Sequence, residues 1–143
     1  MPVIGKHIIA DMHDIAWIPS LDELESIVVE AAKSAGMHVV STAKFLEGKP
    51  GDEFYGPSVI VIVVESHIAV HIWASYRFAT VDVYTCGEKS DPYRAFAYIL
   101  SVLKPGKVEM YYLNRSSDKK LCPMRMSWMH RYTDAKTVTG GCE

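Results

Sequence analysis

Four side chains able to attack carbonyls or move protons crowd the middle of this chain: Ser66, His67, His71 and Cys86. Two β-type runs, 67–73 and 78–86, flank Ala74-Ser75-Tyr76-Arg77, which reads as the turn of a hairpin. With Trp73 opposite Phe78, His71 faces Thr80, His67 faces Tyr84, and position 65 faces Cys86. Strand side chains alternate with period two, so His67, His71 and Cys86 then share one face, with the thiol beside the Glu65-Ser66 peptide bond. A thiol, an imidazole and a serine-bearing backbone junction converge. A zinc pair of the H-x-x-x-H kind needs a helix; on a strand at roughly 3.3 Å per residue, His67 and His71 stand about 13 Å apart, so no metal is expected. No G-x-S-x-G elbow occurs, which argues against a serine hydrolase.

The flanking elements can be read from periodicity. Residues 6–12 form a short strand. Ser20-Leu21-Asp22-Glu23 is a capping box, and Leu21, Leu24, Ile27, Val28, Ala31 and Ala35 stripe one face of the helix it opens, with Gly36 at its end. Residues 37–45 are a strand and 47–53 a polar loop. Residues 57–64 are so uniformly apolar and β-branched that a strand buried on both faces is expected. Asp91-Pro92 opens a second helix carrying Phe96, Ile99, Leu100 and Leu103, Pro105-Gly106 stops it, and 107–113 is a last strand. The order β-α-β-β-β-β-α-β is not the alternation of a parallel sheet. It predicts an α+β two-layer sandwich, a mainly antiparallel sheet with both helices on one face. The domain is expected to span 1–114, with 115–143 a C-terminal extension of unassigned structure.

The composition is that of one globular domain: 143 residues, 49% apolar, net charge −2. That charge gives no footprint for nucleic acid or anionic membrane, and no run is long enough for a membrane span. The start lacks the basic and apolar segments of a secretory signal, so a cytoplasmic address is expected. Cys86, Cys122 and Cys142 show no C-x-x-C spacing and are expected to be free thiols.

The segments Glu65-Ser66-His67-Ile68-Ala69-Val70-His71-Ile72-Trp73 and Ala79-Thr80-Val81-Asp82-Val83-Tyr84-Thr85-Cys86-Gly87 resemble the signature of the prokaryotic S-adenosylmethionine decarboxylases. The likeness extends to Gly5-Lys6-His7, Tyr55-Gly56-Pro57-Ser58 and Asp91-Pro92. It implies a proenzyme in polyamine biosynthesis that makes its own pyruvoyl cofactor. Ser66 attacks the Glu65 carbonyl to form an ester, β-elimination releases a chain ending at Glu65, and the dehydroalanine left at 66 hydrolyses to the pyruvoyl group. By the same resemblance Ser58 and His71 assist cleavage, His71 as base for the elimination, and Cys86 donates the proton that follows decarboxylation. Tyr55, Trp73 and Ser75 correspond to substrate-binding positions. Homodimers or larger assemblies with sites at the interface are implied.

One departure bears on the substrate. The family's usual Pro-Glu after the second histidine, whose glutamate is placed to bind ribose hydroxyls, is Ala74-Ser75 here, and serine offers no bidentate carboxylate. The acidic loop residues Glu47, Asp52 and Glu53 could instead meet a basic substrate. S-adenosylmethionine is the expected substrate, with arginine or ornithine the alternative, and an inactive paralogue serving as a binding partner the reading from another class.

Overall fold

The computed structural model describes residues 3–129 and 136–139. Its elements are β1 (Ile4–His13), α1 (Leu21–Ser34), β2 (Val39–Glu47), β3 (Gly56–Val63), β4 (Ser66–Trp73), β5 (Phe78–Cys86), α2 (Pro92–Leu103), β6 (Lys107–Ser116), β7 (Cys122–Met129) and β8 (Lys136–Thr139). Among the described residues the strands form one sheet in the order β2-β3-β4-β5-β1-β6-β7-β8, every pairing antiparallel. The expected two-layer α+β sandwich is what forms, because both helices bury their apolar stripes against the same side of that sheet.

Alternation along the strands sorts the core. Ile8, Ala10 and Met12 of β1, Ile68, Val70 and Ile72 of β4, and Val81 and Val83 of β5 face the helices and are buried with Leu24, Val28, Phe96, Ile99 and Leu103. The capping box is present, with Ser20 Oγ accepting from the Glu23 N–H and the Glu23 carboxylate accepting from the Ser20 N–H. At α2 the Asp91 side chain accepts from the Tyr93 N–H, with Pro92 in the first turn.

The β4–β5 hairpin has the expected register, with Trp73 opposite Phe78, His71 opposite Thr80 and His67 opposite Tyr84. Residues 74–76 make a turn of 3-10 helix between them. Gly56 starts β3 hard against this hairpin end. A Cβ there would lie 1.7 Å from the Ile72 carbonyl oxygen, so no larger residue fits.

Two expectations are corrected. The strand at 57–64 is covered on one face only: Val59, Val61 and Val63 are buried, but Ile60 and Ile62 lie on the helix-free face, 39% and 45% exposed. The chain beyond 114, unassigned from the sequence, adds to the sheet: β6 runs to Ser116, β7 pairs along it, and β8 pairs along β7. Cys122 is disulfide-bonded rather than free, whereas Cys86 is a free thiol as expected. Cys142 and the Gly140-Gly141 end lie outside the described residues.

Candidate active site

The helix-free face of the sheet carries the polar and titratable residues. On β4 it presents His67, His71 and Trp73, on β5 Thr80, Asp82 and Tyr84, and on β1 His7; each alternates with a core residue. The Glu65-Ser66 junction lies where β4 begins, after the short turn from β3.

Several features converge on that junction. The Cys86 backbone N–H donates to the Glu65 carbonyl oxygen at 3.0 Å, which polarises the carbonyl and extends the hairpin register to position 65. Ser66 has φ +154°, a region that residues with a Cβ rarely occupy, at a cost on the order of 1–3 kcal/mol. Its Oγ lies 3.1 Å from His67 Nδ1. The Glu65 carboxylate accepts from the ring Nδ1 and backbone N–H of His38 at 2.6 and 3.0 Å. Burial would raise that carboxyl's pKa, but these hydrogen bonds outweigh it and hold the group below the usual carboxylate range.

A second cluster sits further along the strands. His71 and Ser58, directly opposite across β4 and β3, hydrogen-bond at 2.9 Å. They line a pocket of about 180 Å³ with Phe45, Glu47, Phe54 and Trp73. The Tyr55 carbonyl accepts from the Ala74 N–H at 2.9 Å, beside the turn. Ser75 Oγ donates to the Glu53 carbonyl at 3.0 Å, and Tyr76 donates to the Glu53 carboxylate. His71 lies five steps along the strand from Ser66, about 16 Å at ~3.3 Å per residue. The structure thus brings Glu65, Ser66, His67 and Cys86 together, gathers Ser58, His71 and Trp73 into a pocket, and sets Tyr55 and Ser75 beside it. Within one chain the two groups do not touch.

The sequence reading passed over three residues. Asp82 is bridged by His67 Nε2 at 3.0 Å and His7 Nε2 at 2.9 Å, and the Arg115 guanidinium lies 3.3 Å from His7 Nδ1 and 4.4 Å above the Tyr84 ring. Alternation alone puts Asp82 on the same face as His67, a legible signal. That β1 and β6 deliver His7 and Arg115 to it depends on long-range strand order. The cluster Asp11, His13 and Glu109, whose ligand atoms lie within 4.8 Å of one another, has Lys107 and Arg125 paired to Glu109, and those cations oppose a bound metal ion.

Comparison with known proteins identifies the family. The sequence profile of the S-adenosylmethionine decarboxylase family matches residues 6–116. The chain is similar to the arginine decarboxylase proenzyme of Pyrobaculum arsenaticum, 49% identical over 117 residues covering 80% of this chain and 86% of that protein. It is likewise similar to the arginine decarboxylase proenzyme of Aeropyrum pernix, 43% identical over 121 residues, 82% and 88% of the two. The crystal structure of the adenosylmethionine decarboxylase from Aquifex aeolicus VF5 superposes with a TM-score of 0.68 at 31% identity, covering 77% of this chain and 88% of that one. With a family match running from β1 through β6, the chain belongs to the S-adenosylmethionine decarboxylase family and is a decarboxylase.

Proposed function

We propose that this chain is the proenzyme of a pyruvoyl-dependent arginine decarboxylase that cuts itself between Glu65 and Ser66 and completes its sites in a homodimer. The observation that carries self-cleavage is the junction itself: a polarised Glu65 carbonyl, a strained Ser66 and an imidazole on the Ser66 hydroxyl. Attack of Oγ on the Glu65 carbonyl carbon replaces the peptide bond with an ester. Loss of the Ser66 α-proton then expels the Glu65 carboxylate and leaves dehydroalanine, whose hydrolysis releases ammonia and leaves the ketone. That group fits position 66, which is partly exposed at the start of β4 with the free thiol-bearing Cys86 on the neighbouring strand. A pyruvoyl group there would supply an electron sink for the breaking bond to the substrate carboxylate. Cys86 donates the proton that replaces the carboxylate on the substrate carbon.

The elimination base is His71, positioned by Ser58, and its distance along the strand from Ser66 argues for a second chain. A copy docked across the open face brings its own Ser58–His71 pair over Ser66. Exposed Ile9, Phe45, Ile60, Ile62 and Tyr111 give that face the apolar surface such docking buries. The pocket that holds His71 would then receive the substrate against the other chain's residue 66.

For the substrate, arginine is better supported than the expected S-adenosylmethionine. Both close relatives named above are arginine decarboxylase proenzymes, and Ser75 here is occupied with Glu53 rather than presenting a carboxylate to ribose. Glu47, in the wall of the His71 pocket, offers a carboxylate that matches a guanidinium bidentately. The test is carbon dioxide release by the processed protein on arginine, ornithine and S-adenosylmethionine. Turnover of arginine above the other two is expected, and turnover of S-adenosylmethionine alone would overturn the assignment.

A further inference from the structure

Four strands contribute to one chain of polar contacts that ends on Ser66: Ser66 Oγ and His67 on β4, Asp82 on β5, His7 on β1 and Arg115 on β6. One placement of protons satisfies every link. The Arg115 guanidinium can only donate, so His7 Nδ1 accepts and the His7 proton sits on Nε2, given to Asp82 Oδ2. Burial would raise the Asp82 pKa, but hydrogen bonds from His7 and His67 outweigh it and keep the carboxyl ionised below its usual range. An ionised Asp82 only accepts, so His67 also carries its proton on Nε2, given to Oδ1. His67 Nδ1 is left with a lone pair aimed at the Ser66 hydroxyl.

We propose that His67 is the base that takes the Ser66 hydroxyl proton in the first step of self-cleavage, with Asp82, His7 and Arg115 as positioning residues that fix its tautomer. The proposal rests on the self-cleavage reading above and divides its two proton transfers between two imidazoles. In the first step the Oγ–carbonyl carbon bond forms as the proton passes to His67 Nδ1, and the Cys86 N–H steadies the carbonyl oxygen. The carbon–nitrogen bond then breaks, and the same proton is handed to the departing Ser66 nitrogen, leaving an ester and an amine. No proton is gained or lost and no co-reactant is needed. His71 lies too far along the strand to serve the first step from within the same chain.

The arrangement resembles a serine–histidine–carboxylate relay, but with the nucleophile and base adjacent in sequence and a second imidazole on the carboxylate's far oxygen. Tyr84 packs against both rings, 5.1 Å from His7 and 5.9 Å from His67. Across β3 the residue opposite His67 is the apolar Ile62. The titratable and charged groups around His67 are therefore Asp82, His7, Tyr84 and Arg115, with the Glu65–His38 pair and Cys86 at the junction.

The test follows freshly synthesised full-length chain in hydroxylamine, which cleaves the ester to a first fragment ending in a Glu65 hydroxamate and a second beginning with unmodified Ser66. His67→Ala is expected to slow that release by about 10²- to 10³-fold. Added imidazole should restore part of the rate, and the rise in rate with pH should vanish. Asp82→Asn should slow release less and displace that pH limb. His67→Ala that forms ester at the parent rate with the pH limb intact would overturn the proposal, as would slow release that imidazole does not rescue. A parent chain that never yields the hydroxamate would strike the self-cleavage reading itself, which separates the two failures.

Discussion

Ser66 sits in a backbone conformation that serine rarely adopts, and the neighbours that hold it there are also the ones equipped to act on it. The Cys86 N–H on the Glu65 carbonyl and His38 on the Glu65 side chain hold that residue in place, and the unusual φ falls on Ser66 beside it. Substrate choice is a separate matter at other residues. Ser75 is tied to the Glu53 carbonyl, and Glu47 provides the carboxylate in the pocket wall. Glu47→Gln keeps the shape but removes the charge a guanidinium would meet. The expected outcome is a KM for arginine raised about 10- to 100-fold, the loss of a charge-assisted pair worth ~1.5–3 kcal/mol, with self-cleavage unchanged. An unchanged KM would remove Glu47 from the pocket's specificity.

The elements do two jobs, one on each face of the sheet. The helix face supplies stability: Phe96 of α2 is fully buried in the core. In a Ser66→Ala background, which keeps the chain in one piece, Phe96→Ala should cost about 3–5 kcal/mol in urea unfolding. A cost below ~1 kcal/mol would mean that α2 is not the core element described. This face was legible in the sequence, because the capping box, the stripe on α1 and the Asp91-Pro92 start are local signals. The β4–β5 register was legible too, since alternation from Trp73 and Phe78 carries His67, His71 and Cys86 to one side. The His7–Asp82–Arg115 contacts were not, because β1 inserts between β5 and β6 through pairings 65 or more residues apart in sequence. Nor was β7: Met124, Met126 and Trp128 alternate with Arg125 and Ser127, but that is too short a signal to place the strand, which is defined by its pairing with β6.

At the scale of the whole molecule, the sheet is a one-sided sandwich with half of its candidate chemistry at each of two places on the uncovered face. In the proposed mechanism a single chain would hold a nucleophile without its elimination base and a base without a nucleophile, and a two-fold dimer would join them twice. Co-expressing Ser66→Ala with His71→Ala tests this, because a mixed dimer contains one composite site with both Ser66 and His71 intact. Cleavage of the His71→Ala chain in the mixture, and of neither chain alone, is expected; no cleavage in verified mixed dimers would place the elimination base elsewhere.

Whether the chain cuts itself at Ser66 to make its own cofactor is read from the intact mass of the purified protein under denaturing conditions. Two fragments divided between Glu65 and Ser66 are expected, the second with a blocked terminus that reacts as a ketone. A single 16.0 kDa chain that persists after long incubation as a dimer would contradict self-cleavage.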